Sequence, residues 1–332
     1  MADLTTSFAG LELKNPVIVG SSGLSDSIEN IADLERNGAA AIVLKSLFEE
    51  EILKEMNAGL NRMSSEGFLY PETVDYYEFF EGPEEPTHRY LNQIREAKHK
   101  VSIPIIASIN CVTASQWTYF PRQIEQAGAD ALELNIFVLP SDFNRTAVQN
   151  EQIYFDIVNE VRKQVNIPLI VKLSSYFSDL AGFLQRLSKT GIQGLVLFNR
   201  FYNPDFDLET LEFTSGAVLS SPTDYYNSLR WIGIMHGRCD CSLAASTGVH
   251  DGQTLIKQLL AGAGAVELAS TLYKNGVTQL PVILQELTTW MDLHHYESID
   301  QFRGIMSQAN TDNPAAYERV QFMKYFRGFK VS

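Results

Sequence analysis

The chain has 332 residues, 45% of them hydrophobic and 20% charged, with a formal net charge of −14. This is ordinary globular composition, and the length suits one large α/β unit that needs no disulfide or metal staples. The acidic balance repels phosphate backbones and argues against nucleic acid as a partner, although a local basic pair can still draw an anionic small molecule into a pocket.

The leader TTSFAGLELKN predicts a short hairpin that caps one end of the fold. Apolar runs follow at Pro16–Ser22 and Ala40–Ser46, separated by an amphipathic helix over Ser27–Gly38 with Ile28, Ile31 and Leu34 at helical spacing. A long acidic and aromatic segment, Glu49–Glu85, precedes the third run, Pro104–Cys111. From there the order is helix Ser115–Gly128, run Ala131–Phe137, helix Asn150–Val165, run Pro168–Ser174, helix Asp179–Gly191 and run Gly194–Asn199. A second long segment, Arg200–Ser221, leads to run Cys241–Thr247, helix Asp251–Ala263 and the eighth run, Ala265–Thr271.

The runs are short, rich in Val, Ile and Leu, and bounded by Gly, Pro or polar residues, as strands buried on both faces are. Helix–Gly–strand punctuation at Gly38, Gly128, Gly191 and Gly262 signals βαβ units. Eight units over about 250 residues predict a (β/α)8 TIM barrel, with a doubly wound open sheet as the alternative. The expectation is a single α/β domain over residues 1–332 with an N-terminal hairpin and long loops after strands 2 and 6.

No apolar run approaches the ~20 residues that span a bilayer, and the N-terminus lacks the basic and apolar regions of a signal peptide. The expected location is the cytoplasm, with no membrane partner. Cys111, Cys239 and Cys241 are too few and odd in number for a disulfide framework. The lone C-x-C pair has no second pair to complete a zinc or iron–sulfur site, so reduced thiols and no metal are expected.

In a barrel the chemistry sits at the carboxyl ends of the strands. Those ends carry Ser21, Ser22 and Gly23; Lys45 and Ser46; Asn110; Asn135; Lys172; Asn199; Ser246, Thr247 and Gly248; and Ser270. A lysine in a buried strand is costly unless it meets an anion. A nearby acid such as Glu133 would serve for either lysine alone; two lysines on one rim point to an anionic ligand. The Thr247-Gly248 turn, entering a helix near Asp251, has the form of a phosphate-binding turn with exposed backbone N–H groups. Taken by itself it reads as a plain strand–helix connection. His236, His250, His294 and His295 read as structural or solvated residues.

Asn15-Pro16 with Ser21-Ser22-Gly23, Lys45-Ser46, Glu133-Leu134-Asn135, Val171-Lys172-Leu173, Asn199 and Thr247-Gly248 stand in the order found in the dihydroorotate dehydrogenases. The chain resembles the cytosolic class of that family from the leader hairpin to Val277. The resemblance implies a (β/α)8 barrel holding FMN. On it, Ser21 and Ser22 lie under the flavin ring, Lys45 lies near the substrate carboxylate and flavin, and Asn135 touches both flavin and substrate. Lys172 lies near flavin N1 and O2, Asn199 belongs to the substrate site, and Asn110 joins the flavin-binding set. Ser215-Gly216, Thr247-Gly248 and Ser270 match the stretches that hold the phosphate. Lys45 and Lys172 are then the catalytic candidates.

The chain departs from the family pattern where the family's loop after strand 4 carries a Cys or Ser base. Here the loop reads Asn135-Ile136-Phe137-Val138-Leu139-Pro140. Val138 takes the base position, and Pro140 replaces an asparagine that holds the pyrimidine. The family's asparagine loop after strand 2 is not recognisable in Met63–Tyr77, and a glycine pair after strand 7 is reduced to Thr247-Gly248. Ser141, Asp142 and Arg145 lie beside Val138. The resemblance therefore implies an FMN oxidoreductase passing hydride between a dihydropyrimidine or related cyclic small molecule and flavin N5, as in pyrimidine biosynthesis. Two other readings stay open: a flavin-dependent reductase of another unsaturated carbonyl compound, and a non-catalytic barrel that binds FMN or a phosphate ligand. A flavin-free barrel of the glycolytic type is a fourth. Cytosolic members of the family are often dimers, which leaves a homodimer as an expectation.

Overall fold

The computed structural model describes residues 2–48, 86–111, 120–200 and 203–318. It opens with a hairpin of β1 (Thr6–Phe8) and β2 (Leu11–Leu13), paired antiparallel. Ala9 and Gly10 make its two-residue turn with φ 52 and 80, the left-handed pair that matches the twist of the strands.

Eight parallel strands then close into a barrel: β3 (Val17–Val19), β4 (Ala41–Val43), β6 (Ile105–Cys111), β7 (Ala131–Ile136), β8 (Leu169–Leu173), β9 (Gly194–Leu197), β12 (Ser242–Ser246) and β13 (Ala265–Leu268). The ring closes where Ile42 of β4 pairs with Ile105 of β6 and Val19 of β3 with Leu268 of β13. A two-residue strand, β5 (Leu47–Phe48), continues the β4 edge against β6. Each of the eight predicted runs contains one of these strands, so the (β/α)8 expectation holds and the open sheet does not.

The helices α1 (Ile28–Arg36), α2 (Pro86–Lys100), α3 (Phe120–Ala127), α4 (Ala147–Arg162), α5 (Leu180–Ser188), α6 (Tyr225–Met235) and α7 (Gly252–Ala261) lie between strands. Ser27, Asp179 and Asp251 cap α1, α5 and α7 by accepting from a backbone N–H of the first turn, and Thr146 closes a capping box with Gln149 on α4. The chain continues through α8 (Ser270–Asn275) and α9 (Gln279–Leu293). The helices α2, α6 and α9 are not among those anticipated from periodicity. The segment after β9 is a hairpin, β10 (Pro204–Phe206) with β11 (Phe213–Ser215). The segment expected between strands 2 and 3, the stretch Met63–Tyr77 within it, and the start of the second predicted helix, Ser115–Gly128, lie outside the described residues.

Two apolar cores hold the barrel. One fills the space between strands and helices, and the other fills the barrel floor. Ile18, Val43, Ile106, Ala131, Ile170, Val196, Ala244 and Ala265 pack there around Phe8 and Leu13 of the leader hairpin. Gly194 is required at that contact, because a Cβ would lie 2.8 Å from the Phe8 ring and 3.1 Å from Ala9. The hairpin is thus the plug of the barrel floor, as its sequence suggested.

Candidate active site

The strand period of two builds the site in layers. Two residues beyond the apolar floor, the same strands carry Gly20, Lys45, Ser108, Glu133, Lys172, Ser246 and Glu267. Three of these are buried charged groups: Glu133 is 0% exposed, Glu267 3% and Lys172 6%.

Lys172 Nζ donates to Glu267 Oε2 at 2.6 Å and stands 3.8 Å from Glu133 Oε1. Burial by itself would lower the lysine's pKa, but the facing carboxylates outweigh it and push the value to about 12. Glu133 is raised as well, for a different reason. Burial, together with the charge of Glu267, holds its carboxyl well above the usual range, more than Lys172 lowers it. Glu133 is therefore the carboxyl biased toward its protonated form, and Lys172 with Glu267 forms the ion pair. One oxygen of Glu133 has no hydrogen-bond partner.

A row of hydroxyls joins this triad to the rim. Ser21 Oγ lies 3.0 Å from Ser46 Oγ, and Ser46 Oγ lies 2.8 Å from Ser108 Oγ. Ser108 Oγ donates to Glu133 Oε1 at 3.4 Å. Tyr90 of α2 clamps Ser108 from outside the barrel, donating to its carbonyl at 3.0 Å and accepting from its N–H at 2.7 Å.

A cavity of ≈ 440 Å³ opens at the carboxyl ends of the strands, within the range of small-molecule sites. Of the residues singled out from sequence, Ser21, Ser22, Lys172, Asn199, Thr247, Gly248 and Ser270 line it. Asn135 is joined to it through Asn199, whose amide donates to Asn135 Oδ1 at 2.8 Å.

The turn after β12 has unusual backbone. Thr247 and Gly248 sit at φ 75 and 78. A β-branched residue held there costs on the order of 1–3 kcal/mol, and such strain collects at ligand sites. Thr247 Oγ1 donates to the Phe198 carbonyl at 3.1 Å. Ser220 ties the neighbouring loops together: its N–H donates to Ser270 Oγ at 3.0 Å, its hydroxyl accepts from Gly248 N at 3.3 Å, and its carbonyl accepts from Lys274 at 2.7 Å. His250 Nε2 lies 3.1 Å from the same hydroxyl, and burial lowers the imidazole pKa, as for a neutral structural histidine.

Besides Asn135, four of the expected residues do not line this cavity. Lys45 is half-buried, with Nζ 3.8 Å from Asp26, and Asn110 stands beside Asn135 in the β6–β7 register. Ser215 and Gly216 belong to the hairpin after β9, where Gly216 N donates to Asn203 O at 2.9 Å. The stretch of that connection which reaches the cavity is Val218–Ser220. Val138 is packed in the outer core at 8% exposure, while Pro140, Ser141 and Asp142 are exposed. Asp142 pairs with Arg145 at 3.1 Å. Sequence reasoning missed Glu267 and Ser220. Glu267 had a signal, since a carboxylate inside the apolar run AVELAST must find a buried cation; Ser220 had none. Among the described residues no three His, Cys, Asp or Glu side chains gather as a metal site.

A closed (β/α)8 barrel with a polar cavity at the carboxyl ends of its strands defines an enzyme-type barrel. A family model described as dihydroorotate dehydrogenase matches residues 72–291, more than half of the chain. The chain belongs to the dihydroorotate dehydrogenase family, whose members are flavin-dependent oxidoreductases. It is similar to the protein named dihydroorotate dehydrogenase B (NAD(+)), catalytic subunit, of Thermoplasma acidophilum, with 26% identity covering 92% of this chain and 99% of that protein. The protein of the same name from Methanocaldococcus jannaschii is 24% identical over 87% of this chain and 93% of its own length. That from Pyrococcus abyssi is 22% identical over 91% and 98%. Among the described residues no helix is long and apolar enough to cross a membrane.

Proposed function

We propose that the chain binds FMN noncovalently in the ≈ 440 Å³ cavity and carries out flavin-dependent redox chemistry on a dihydropyrimidine or related cyclic substrate. The observation that carries this reading is the donor set of the cavity. Hydroxyls of Ser21, Ser22, Thr247 and Ser270, the Asn199 amide and the Lys172 ammonium converge on one volume of suitable size. Those groups fit the polar edge and phosphate of FMN, and the two left-handed residues at Thr247-Gly248 bring a turn of the phosphate-binding kind to the cavity wall.

On this reading Ser220, Thr247, Gly248 and Ser270 hold the phosphate, with Lys274 adding positive charge nearby. Ser21, Ser22 and Lys172 face the ring, and Asn135 and Asn199 orient the substrate as a hydrogen-bonded pair. Lys45 and Asn110 stand on the rim where a substrate anion would approach. Ser215 and Gly216 shape the connection that delivers Ser220. Bound FMN supplies a two-electron acceptor for hydride, and the protein supplies binding, orientation and charge.

Val138 favours a substrate other than dihydroorotate itself. Oxidation of dihydroorotate releases a carbon-bound proton, and a buried valine offers no acceptor within hydrogen-bond reach. A reductase acting on another unsaturated carbonyl compound is the second reading. The relatives are named catalytic subunits, so a partner chain that exchanges electrons with the flavin belongs to the proposal, as does a single domain over the whole chain. A cytoplasmic setting fits the free thiols of Cys239 and Cys241.

The test is fluorescence titration with FMN, followed by anaerobic bleaching of the bound flavin with a panel of dihydropyrimidines. Bound FMN bleached by a panel member supports the proposal. Failure to bind FMN removes it, and bound FMN that only unsaturated carbonyl compounds reoxidise moves the function to the second reading.

A further inference from the structure

We propose that Glu267 sets the reduction potential of the bound flavin by compensating the charge of Lys172, so that the lysine does not act on the flavin as a bare cation. This rests on the FMN reading above. Both side chains line the cavity, and their polar atoms are 2.6 Å apart. Glu267 is 3% exposed, so no bulk water screens the pair.

The remaining groups facing the pair decide its net charge. Glu133 faces Lys172 from β7 at 3.8 Å, Ser108 reaches Glu133 from β6, and Tyr90 backs Ser108 from α2. With both carboxylates ionised the triad would carry one uncompensated negative charge, buried and short of donors, since one Glu133 oxygen has none. Protonation of Glu133 removes that charge. What the cavity then meets is a Lys172–Glu267 pair of net zero charge. A flavin gains negative charge on two-electron reduction. A bare cation beside it favours the reduced form, and a compensated one contributes little.

Two substitutions separate the carboxylates. Glu267→Gln, made together with Glu133→Gln so that no second carboxylate can take up the charge, keeps shape and hydrogen bonding but uncovers the lysine. It should tighten reduced FMN over oxidised FMN by tenfold or more, a rise of about 30 mV for a two-electron couple. Glu133→Gln alone replaces a neutral group by a neutral group and should move the same ratio less than twofold. In a Lys172→Met background the effect of the double substitution should vanish, because no cation remains to be uncovered.

The experiment is an anaerobic redox titration of the full-length protein reconstituted with FMN, against a reference dye, with circular dichroism to confirm folding. A rise confined to the double variant, and lost when Lys172 is absent, supports the proposal. It is overturned by an unchanged potential in the double variant, or by an equal rise in Glu133→Gln alone. Should the double variant fail to fold, the wild type decides. Its bound flavin should have a potential no higher than free FMN, and a potential raised tenfold-equivalent or more above free FMN overturns the proposal. Wild-type protein that takes up no FMN overturns this inference together with the reading beneath it, whereas FMN bound with the wrong potential overturns this inference alone.

Discussion

Replacing Gly248 by alanine perturbs the turn after β12 at a single atom. The residue sits at φ +78, and an added Cβ would lie 2.2 Å from Tyr225 N, 2.7 Å from Asp224 C and 2.9 Å from Tyr225 Cα. All three are backbone atoms at the start of α6, so no flexible side chain can swing aside. The left-handed conformation costs an L-residue about 1–2 kcal/mol. Forcing α6 and the turn apart adds about 1–3 kcal/mol, the usual range for overpacking. Gly248→Ala should therefore lose roughly 2–5 kcal/mol. Gly191→Ala is the internal reference, since Gly191 has φ +82 and nothing within 4 Å of its Cβ position. It should lose only the conformational part, about 1–2 kcal/mol. Urea unfolding of the two variants, compared with wild type, gives the difference directly. FMN titration should also show weaker binding for Gly248→Ala, because the displaced turn carries the proposed phosphate contacts. Equal losses for the two variants would refute the reasoning, since α6 could not then be packed against Gly248.

Lys172→Ala leaves Glu267 buried without its cation and should cost about 3–5 kcal/mol in urea unfolding, with part recovered in Lys172→Ala/Glu267→Ala; a loss below about 1 kcal/mol would show that the pair is not held dry. The raised pKa of Glu133 fixes the sign of a pH effect. Its contribution is full below the ordinary carboxylate value of 4.5 and is lost as pH rises through the raised folded value. Wild type should thus lose stability from about pH 5 upward relative to Glu133→Gln, which has no proton to lose there; parallel stability–pH curves would remove the assignment of Glu133 as the protonated carboxyl. Finally, anaerobic reduction of the bound flavin by dihydroorotate should be slow in wild type, a positioned base being worth ~10²–10⁴-fold. Fast wild-type reduction would point to another base, with Ser141 and Asp142 first in line on the same exposed loop.

The sequence by itself determined the eight strands and most of the rim, while closure of the strands into a ring was settled by their pairing. Eight short apolar runs, bounded by Gly, Pro or polar residues, read as strands buried on both faces, and the leader reads as a capping hairpin. The lysine inside the fifth run demanded an anionic partner for the same physical reason, burial of a charge. Local pattern could not choose that partner. Glu133 and Glu267 lie on β7 and β13, and β13 is distant from β8 in the chain. Only closure of the ring brings Glu267 Oε2 within 2.6 Å of Lys172 Nζ while Glu133 stays at 3.8 Å. The same holds for the rim. Ser215-Gly216 and Val218–Ser220 are near neighbours in sequence, and it is the pairing of β11 with β10 that carries the first away and leaves Ser220 to bond Gly248, Ser270 and Lys274. Periodicity reports which face of an element is buried; the shear and closure of the barrel decide which buried groups meet.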